Sequence, residues 1–260
     1  MKLVRKKWYQ FLQFQDYRLG VWSCKAMQLR GYAERPVHPK HLFDEQRSSF
    51  LHEFFTDGIA FLDLGSGVGS DCLIAGEKGA ALSVGLENDW ESIITAKKRS
   101  QNKHSKTNFF HFDLEQGVLP FFDDSFDLVN FSNVLEHLYN RNSILKEIRR
   151  VKKADGLAVI SIPNSETSWK IKLRSVGLDS RDDPDHKIEY SKESLKAELD
   201  ASGLELSSEL LPIIPSLPYN GLIAMSAALS PKLYKNLQKK KRAFVEANPE
   251  ESIGWVFTVK

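Results

Sequence analysis

Ile59-Ala60-Phe61-Leu62-Asp63-Leu64-Gly65-Ser66-Gly67-Val68-Gly69 is the stretch whose reading decides the fold. Its first six residues form a near-continuous apolar run, as expected for a parallel strand buried on both faces. Three glycines follow at alternate positions, and a helical pattern then runs to about Lys78. Glycine there permits positive φ angles and close approach of the backbone to a ligand. The start of the helix adds free amides and a partial positive charge, suited to a carboxylate or a phosphate. A tight turn that needs glycine only for its geometry is the competing reading of the loop alone. The spacing is G-x-G-x-G, not the G-x-G-x-x-G of a dinucleotide fingerprint, which lowers the odds of a pyrophosphate site.

Outward from this loop, strand and helix patterns alternate. Strands are predicted at Ala81–Leu86, Asn108–Phe112, Phe126–Phe131 and Ala158–Ile162, the last stopped by Pro163. Helices are predicted at Trp90–Ser100 and near Arg141–Lys152. Regular alternation of this kind argues for a doubly wound parallel sheet over residues 59–163. Residues 1–55 lack strand signals and read as a helical N-terminal cap, with a second helix from about His41 to Phe55. Beyond Pro163 a polar loop is expected from Asn164 to about Tyr190. A helix capped by Ser191 follows, then a strand over Leu204–Leu211, a helix over Pro231–Ala247 and a closing strand over Trp255–Val259.

Composition bounds the function. The 260 residues carry 36 basic and 34 acidic side chains, a net charge of +2, which gives no reason to expect nucleic-acid binding. The apolar stretch 211–229 contains Pro212, Pro215, Pro218, Asn220 and Gly221, so it does not read as a membrane span. The basic start of the chain lacks an apolar core and a cleavage site, so a secretory signal is not expected. The two cysteines, Cys24 and Cys72, have no metal-type spacing and suit a reducing, cytoplasmic compartment.

Two acidic residues fall where ligands bind in open α/β sheets. Glu87 ends the second predicted strand, 22 residues after Gly65, where a carboxylate can accept from both hydroxyls of a ribose. Asp113 ends the third, where it can accept from an exocyclic amino group while Leu114 lines a ring. The segment Ser132-Asn133-Val134-Leu135-Glu136-His137 follows the fourth strand at the same edge.

Taken as an ordered set, these pieces resemble the class I S-adenosylmethionine (SAM)-dependent methyltransferases, especially the type 11 group acting on small molecules and glycans. The matching pieces are Asp63 to Gly69, Glu87, Asp113-Leu114, Leu119-Pro120-Phe121 with Ser125-Phe126-Asp127, Val134-Leu135-Glu136-His137, Glu147-Ile148-Arg149-Arg150-Val151-Lys152 and Ile162-Pro163-Asn164. The resemblance covers about residues 55–211. It implies a Rossmann-like, doubly wound, seven-stranded, mostly parallel α/β sheet with the last strand antiparallel, forming a methyltransferase domain over 56–260 behind the cap. It implies SAM as cofactor, with Gly65 to Gly69 on its methionine end, Glu87 on the ribose, Asp113 and Leu114 on the adenine, and Asn133 beside the methionine moiety. Asp63, Ser66 and Asn88 complete the expected cofactor-binding set. The turn Lys152-Lys153-Ala154-Asp155-Gly156 departs from the family's Lys-Pro-Gly-Gly.

The resemblance implies methyl transfer to a small-molecule, sugar or glycan acceptor, with oxygen the expected acceptor atom. His137 and His186 are the candidate catalytic bases, one of which is expected to face the acceptor. Some quinone and RNA methyltransferases hold a metal with Glu-x-x-Glu-His. Asn133 stands at the first position here, so no metal is expected. The basic runs Arg5-Lys6-Lys7 and Lys239 to Arg242 suggest peripheral contact with an anionic membrane surface. Two other readings compete. One is an NAD(P)-dependent oxidoreductase, opposed by the glycine spacing and by the lack of a Tyr-x-x-x-Lys pair. The other is a SAM-binding protein without catalysis.

Overall fold

In a computed structural model, residues 2–43, 49–101, 107–210 and 219–260 are described. The first elements in chain order are α1 Lys2–Leu29, α2 Lys40–Phe43, α3 Ser49–His52, β1 Ala60–Leu64, α4 Ser70–Glu77, β2 Leu82–Glu87, α5 Trp90–Gln101, β3 Thr107–His111, β4 Phe126–Ser132 and α6 Arg141–Val151. They are followed by β5 Lys152–Pro163, α7 Ser168–Ser175, α8 Lys192–Ala201, β6 Leu206–Leu210, α9 Asn220–Leu229, α10 Pro231–Ala247 and β7 Gly254–Val259.

The chain folds as two compact units. One comprises Met1–Arg47, Asn164–Asp182 and Leu211–Ile253; the other comprises Ser48–Pro163, Asp183–Leu210 and Gly254–Lys260. The division therefore does not fall at residue 55. Two later segments leave the sheet domain and fold with α1, an association between distant stretches that local patterning does not reveal.

The sheet unit holds seven strands in the order β3-β2-β1-β4-β5-β7-β6. β1, β2, β3, β4 and β5 pair in parallel, and β7 runs antiparallel to both β5 and β6. Alternate residues of the central strands feed two separate cores. Leu62, Leu64, Val129, Phe131, Ile160 and Ile162 pack with Ile144, Leu145 and Ile148 of α6 and Leu195 and Leu199 of α8. Phe61, Leu128 and Val159 pack with Leu51 of α3, Cys72 and Leu73 of α4, and Ile93 and Ala96 of α5. Helices on both faces are what the unbroken apolar strands demand.

The motif residues around Glu147 hold this unit together. The Arg150 guanidinium donates to the carbonyls of Phe121 and Leu119, to Asp123 and to Glu147, while Glu147 accepts from the Leu119 amide at 2.8 Å. They fasten the segment before β4 onto α6.

In the other unit α1 packs against α9, and α9 against α10. The α1–α9 crossing is close because Gly221 has no side chain. A Cβ there would lie 2.3 Å from the Asp16 carbonyl oxygen, and the Gly221 amide donates to the Asp16 carboxyl at 2.6 Å. Met27, Ala227 and Tyr234 form its small core.

Several expectations change. The loop expected over 164–190 contains α7, started by the Thr167 hydroxyl accepting from the Lys170 amide. The apolar stretch after Pro218 forms α9. Of the helix expected over 41–55, the end of α2 and α3 are helical, residues 53–55 are not, and residues 44–48 lie outside the described residues. Pro212, Pro215, Pro218 and the expected end of β6 at Leu211 also lie outside them. β5 starts at Lys152, six residues early, because Lys152 already pairs with Phe126 across a register shift. No described helix is long and apolar enough to cross a membrane.

Candidate active site

The glycine loop lies between β1 and α4, at the carboxyl edge of the sheet. The Gly65 and Ser66 amides both donate to the Leu86 carbonyl, at 2.8 and 2.9 Å, which pins the loop to β2. Gly65 has φ +76°, and a Cβ there would lie 2.4 Å from Cγ2 of Val134. Gly69, at φ +76° as well, lies against the Phe109 ring, 2.3 Å from where a Cβ would sit. Both positions are thus fixed by packing and backbone conformation together. Gly67 differs, since a Cβ there would meet nothing within 4 Å.

Glu87 ties the loop to the end of β2. Its Oε2 accepts from the Gly67 amide at 2.8 Å, and its Oε1 from the amides of Asn88 and Asp89 at 2.8 and 2.9 Å. A carboxylate offers about four lone-pair sites, so three amides leave room for a ligand hydroxyl. Asn88 thus enters the site through its backbone. The Ser66 hydroxyl is buried and finds no hydrogen-bond partner among the described residues.

Beneath the loop, Asp63 is buried. Its Oδ1 accepts from Asn130 Nδ2 at 2.7 Å, and Asn130 Oδ1 accepts from the Ser132 hydroxyl at 2.6 Å. Burial, with the Asp71 charge second, pushes the Asp63 carboxyl up to about 8, against the lowering effect of the Asn130 bond. Burial likewise pushes the Cys72 thiol well up, so Cys72 is a packing residue.

At the end of β3, the Phe112 amide donates to the Glu87 carbonyl at 2.9 Å. Asp113 caps a short 3₁₀ turn, its Oδ1 accepting from the Glu115 amide at 3.0 Å. Leu114 is buried in the sheet core. At the end of β4, Asn133 is exposed and held at φ +55°, with its amide donating to the Ser161 carbonyl. A non-glycine residue in this region carries strain that surrounding structure must hold, a recurring mark of functional sites.

His137 and His186 meet edge to face, with ring centroids 4.7 Å apart. His186 is buried and its Nδ1 lies 2.7 Å from Glu189 Oε1, while its Nε2 lies 3.9 Å from Glu136 Oε1. The Lys187 amide donates to the Glu136 carbonyl at 2.7 Å, which docks the His186 segment on the turn after β4. His137 is half-buried; burial, with the neighbouring His186 second, lowers its pKa. Glu136, His137 and His186 thus bring three metal-type donor atoms within 4.8 Å of one another, at a place where no metal is expected from the sequence.

The loop, Glu87, Asp113 and Asn133, all named from the sequence, lie at the carboxyl ends of β1 to β4, and the two histidines named with them meet each other. The sequence assigns no role to Asn130 or Glu189, and it names Ser132 and Glu136 only as part of the segment after β4. A polar residue inside the apolar strand Phe126–Ser132 is the one signal that points to Asn130. The sequence likewise assigns no role to the exposed Trp90 indole, stacked on His111 with centroids 4.2 Å apart beside the end of β2.

A glycine loop on a helix start, an acid at the end of the next strand and an αL asparagine after β4 come together as a candidate nucleoside-binding site on a doubly wound sheet. The chain matches the methyltransferase-domain family model over residues 62–160. Over 111 residues it is 27% identical to the ribosomal protein L11 methyltransferase of Dictyoglomus turgidum, covering 43% of this chain and 35% of that protein. Over 146 residues it is 30% identical to a probable SAM-dependent methyltransferase of Mycolicibacterium smegmatis, covering 56% and 51%. The chain thus spans about a third to a half of the length of these relatives. Its fold is similar to that of the [4+2]-cyclase SpnF, with a TM-score of 0.59 at 18% identity, covering 82% of this chain and 79% of that one. The site's chemistry fits SAM as the cofactor. Glu87 has lone-pair capacity left, Ser66 offers a buried hydroxyl, and the loop opens at Gly67.

Proposed function

We propose that this protein methylates an oxygen of a small-molecule, sugar or glycan acceptor, using SAM. The observation that carries the reading is the bond between Glu87 and the Gly67 amide, which sets a carboxylate with spare acceptor sites beside an open glycine loop. In this reading Glu87 holds the ribose, Asp113 the adenine edge, and Ser66, Gly67 and Asn133 the amino-acid end. Asp63 acts from below, keeping the loop in place through β1. SAM supplies a methyl group on a positively charged sulfur, and the chain supplies positioning and exclusion of water.

An acceptor hydroxyl must lose its proton. His137 is suited to receive it. Its lowered pKa leaves it neutral near pH 7, and it is half-buried, open to an acceptor on one side. Its Nε2 or Nδ1 would take the proton, while His186, held by Glu189, fixes the edge of its ring. Calorimetry tests the cofactor: SAM and S-adenosylhomocysteine should bind, and NAD should not. Turnover on an acceptor panel tests the rest; cofactor binding with no turnover on any oxygen acceptor would overturn the methyl-transfer reading.

A second reading rests on the cluster of donor atoms. In it Glu136, His137 and His186 would hold a divalent cation, which when bound would supply a Lewis acid toward the acceptor, and Glu189 would orient His186 from behind, a common arrangement around ligating histidines. Elemental analysis separates the two, because the base reading expects full turnover in metal-free protein. The cysteines Cys24 and Cys72 are both free, in keeping with the proposed cytoplasmic setting.

The proposed contact with an anionic membrane surface needs one change. The run Lys239 to Arg242 is not presented as a block, since Lys241 is buried and donates to Asn220 at 2.7 Å.

A further inference from the structure

The α1 helix has an inward face and an outward face of different chemistry. Asp16, Ser23 and Met27 lie inward, with Ser23 and Met27 fully buried. At 3.6 residues per turn, the positions of Trp8, Phe11, Phe14 and Trp22 fall on the other side, together with Lys7 and Arg18, within an arc of roughly 120°. The four aromatic side chains are 56%, 50%, 56% and 57% exposed. They are ordered on the surface: Trp8 stacks on Phe11 with centroids 5.7 Å apart, and the Arg18 guanidinium sits 5.4 Å over the Phe14 ring. Single exposed aromatics are ordinary, but a continuous stripe along a 28-residue helix is not.

The charge along α1 identifies what the stripe meets. Between Lys2 and Leu29 there are six basic residues (Lys2, Arg5, Lys6, Lys7, Arg18, Lys25) and one acid. That acid, Asp16, faces inward onto the Gly221 amide. The outward face is therefore aromatic and cationic without a counter-charge. A second copy would set cationic face against cationic face. A nucleic acid would find phosphate partners but no use for the aliphatic ends of the helix, where Leu3 is 67% and Leu29 86% exposed. A lipid surface accommodates all three classes at once: anionic headgroups for the lysines and arginines, the headgroup boundary for tryptophan, and acyl chains for leucine and phenylalanine.

We infer that α1 lies along an anionic membrane surface, bedding Trp8, Phe11, Phe14 and Trp22 into the headgroup boundary with Lys7 and Arg18 on the phosphates. The inference sharpens the proposed membrane contact by moving it from the chain termini to one helix face. It needs no particular acceptor.

The test is co-sedimentation of the full chain with phosphatidylcholine vesicles, with and without phosphatidylserine. Pelleting is expected with the anionic vesicles and weakly or not at all without them. The Lys7→Glu/Arg18→Glu variant should weaken partitioning by roughly tenfold or more, and raised salt should do the same to the wild type. Trp8→Ser/Trp22→Ser should weaken it as well, with an unchanged thermal melt showing that α1 still packs on α9. No pelleting with anionic vesicles, or pelleting that both double variants leave untouched, would overturn the inference. So would a dimer in sedimentation velocity that the tryptophan variant dissolves, which would make the face an interface between copies. None of these measurements uses SAM, so their failure is distinct from failure of the methyl-transfer reading.

Discussion

Asn130 Nδ2 donates to Asp63 Oδ1 at 2.7 Å, and the two residues face each other in the register of β4 on β1. The pair lies within the sheet, directly behind the glycine loop. A buried carboxyl held by one amide, with its pKa raised to about 8, is a group whose protonation state is set by folding.

Stability should therefore depend on pH through Asp63. An unfolded aspartate titrates near 3.9, so the folded state binds the proton more tightly than the unfolded chain does. That contribution to stability is fully present below about pH 4 and is lost as pH rises through about 8. The melting temperature of the wild type should fall between about pH 4 and about pH 8 and level off above it, and Asp63→Asn should flatten that fall. Asparagine keeps an oxygen for Asn130 and has no proton to lose. Parallel melting curves for the two proteins across this range would show that Asp63 is not the group responsible.

The base reading predicts a separation of binding from chemistry. His137→Ala should lower kcat by about 100- to 10,000-fold, the range for loss of a general base, with SAM affinity unchanged by calorimetry. In the wild type, kcat/KM should fall on the acid side below pH 6.5, because the folded pKa of His137 is depressed. Glu189→Gln should shift that limb and cost less, since Glu189 touches His186 and not the acceptor. A His137→Ala protein with wild-type turnover removes His137 from the reaction.

Much of this arrangement is legible in the sequence because local chemistry dictates it. The apolar runs at β1, β2 and β4 can only be strands buried on both faces, and the glycines between β1 and α4 mark the loop. Glu87 and Asp113 stand where their strands end. What escapes is contact between distant stretches. His137 and His186 are 49 residues apart, and nothing local shows that their rings touch or that Glu136 and Glu189 flank the second. The polar stretch from Asn164 hides α7, since Asn164, Ser165 and Glu166 dominate its start and the helix depends on the Thr167 cap. The grouping of Asn164–Asp182 with α1 is likewise a tertiary choice.

Glu87 should control cofactor affinity. Glu87→Ala removes the partner of three amides and the proposed acceptor of the ribose hydroxyls. Charge-assisted hydrogen bonds of this type contribute about 1.5–3 kcal/mol each, so the loss of one such ligand bond corresponds to roughly a tenfold to hundredfold rise in Kd for S-adenosylhomocysteine. Calorimetry reads that rise. A Kd that stays at the wild-type value would place the ribose elsewhere.

Gly65 offers a test of how the loop is built. Alanine at this position meets two separate obstacles. Its Cβ would lie 2.4 Å from Val134 Cγ2, and its backbone would have to hold φ +76°. The left-handed conformation alone costs an alanine about 1–2 kcal/mol, and the contact adds to it. Gly65→Ala should therefore lower the melting temperature and weaken SAM binding together. The double variant Gly65→Ala/Val134→Ala relieves the contact but not the backbone strain, so it should regain part of the loss caused by crowding and leave the rest. Full recovery would mean that sterics alone keep Gly65 a glycine. No recovery would assign the whole penalty to the backbone, and would remove Val134 as the link through which the loop and the turn after β4 fix each other's positions.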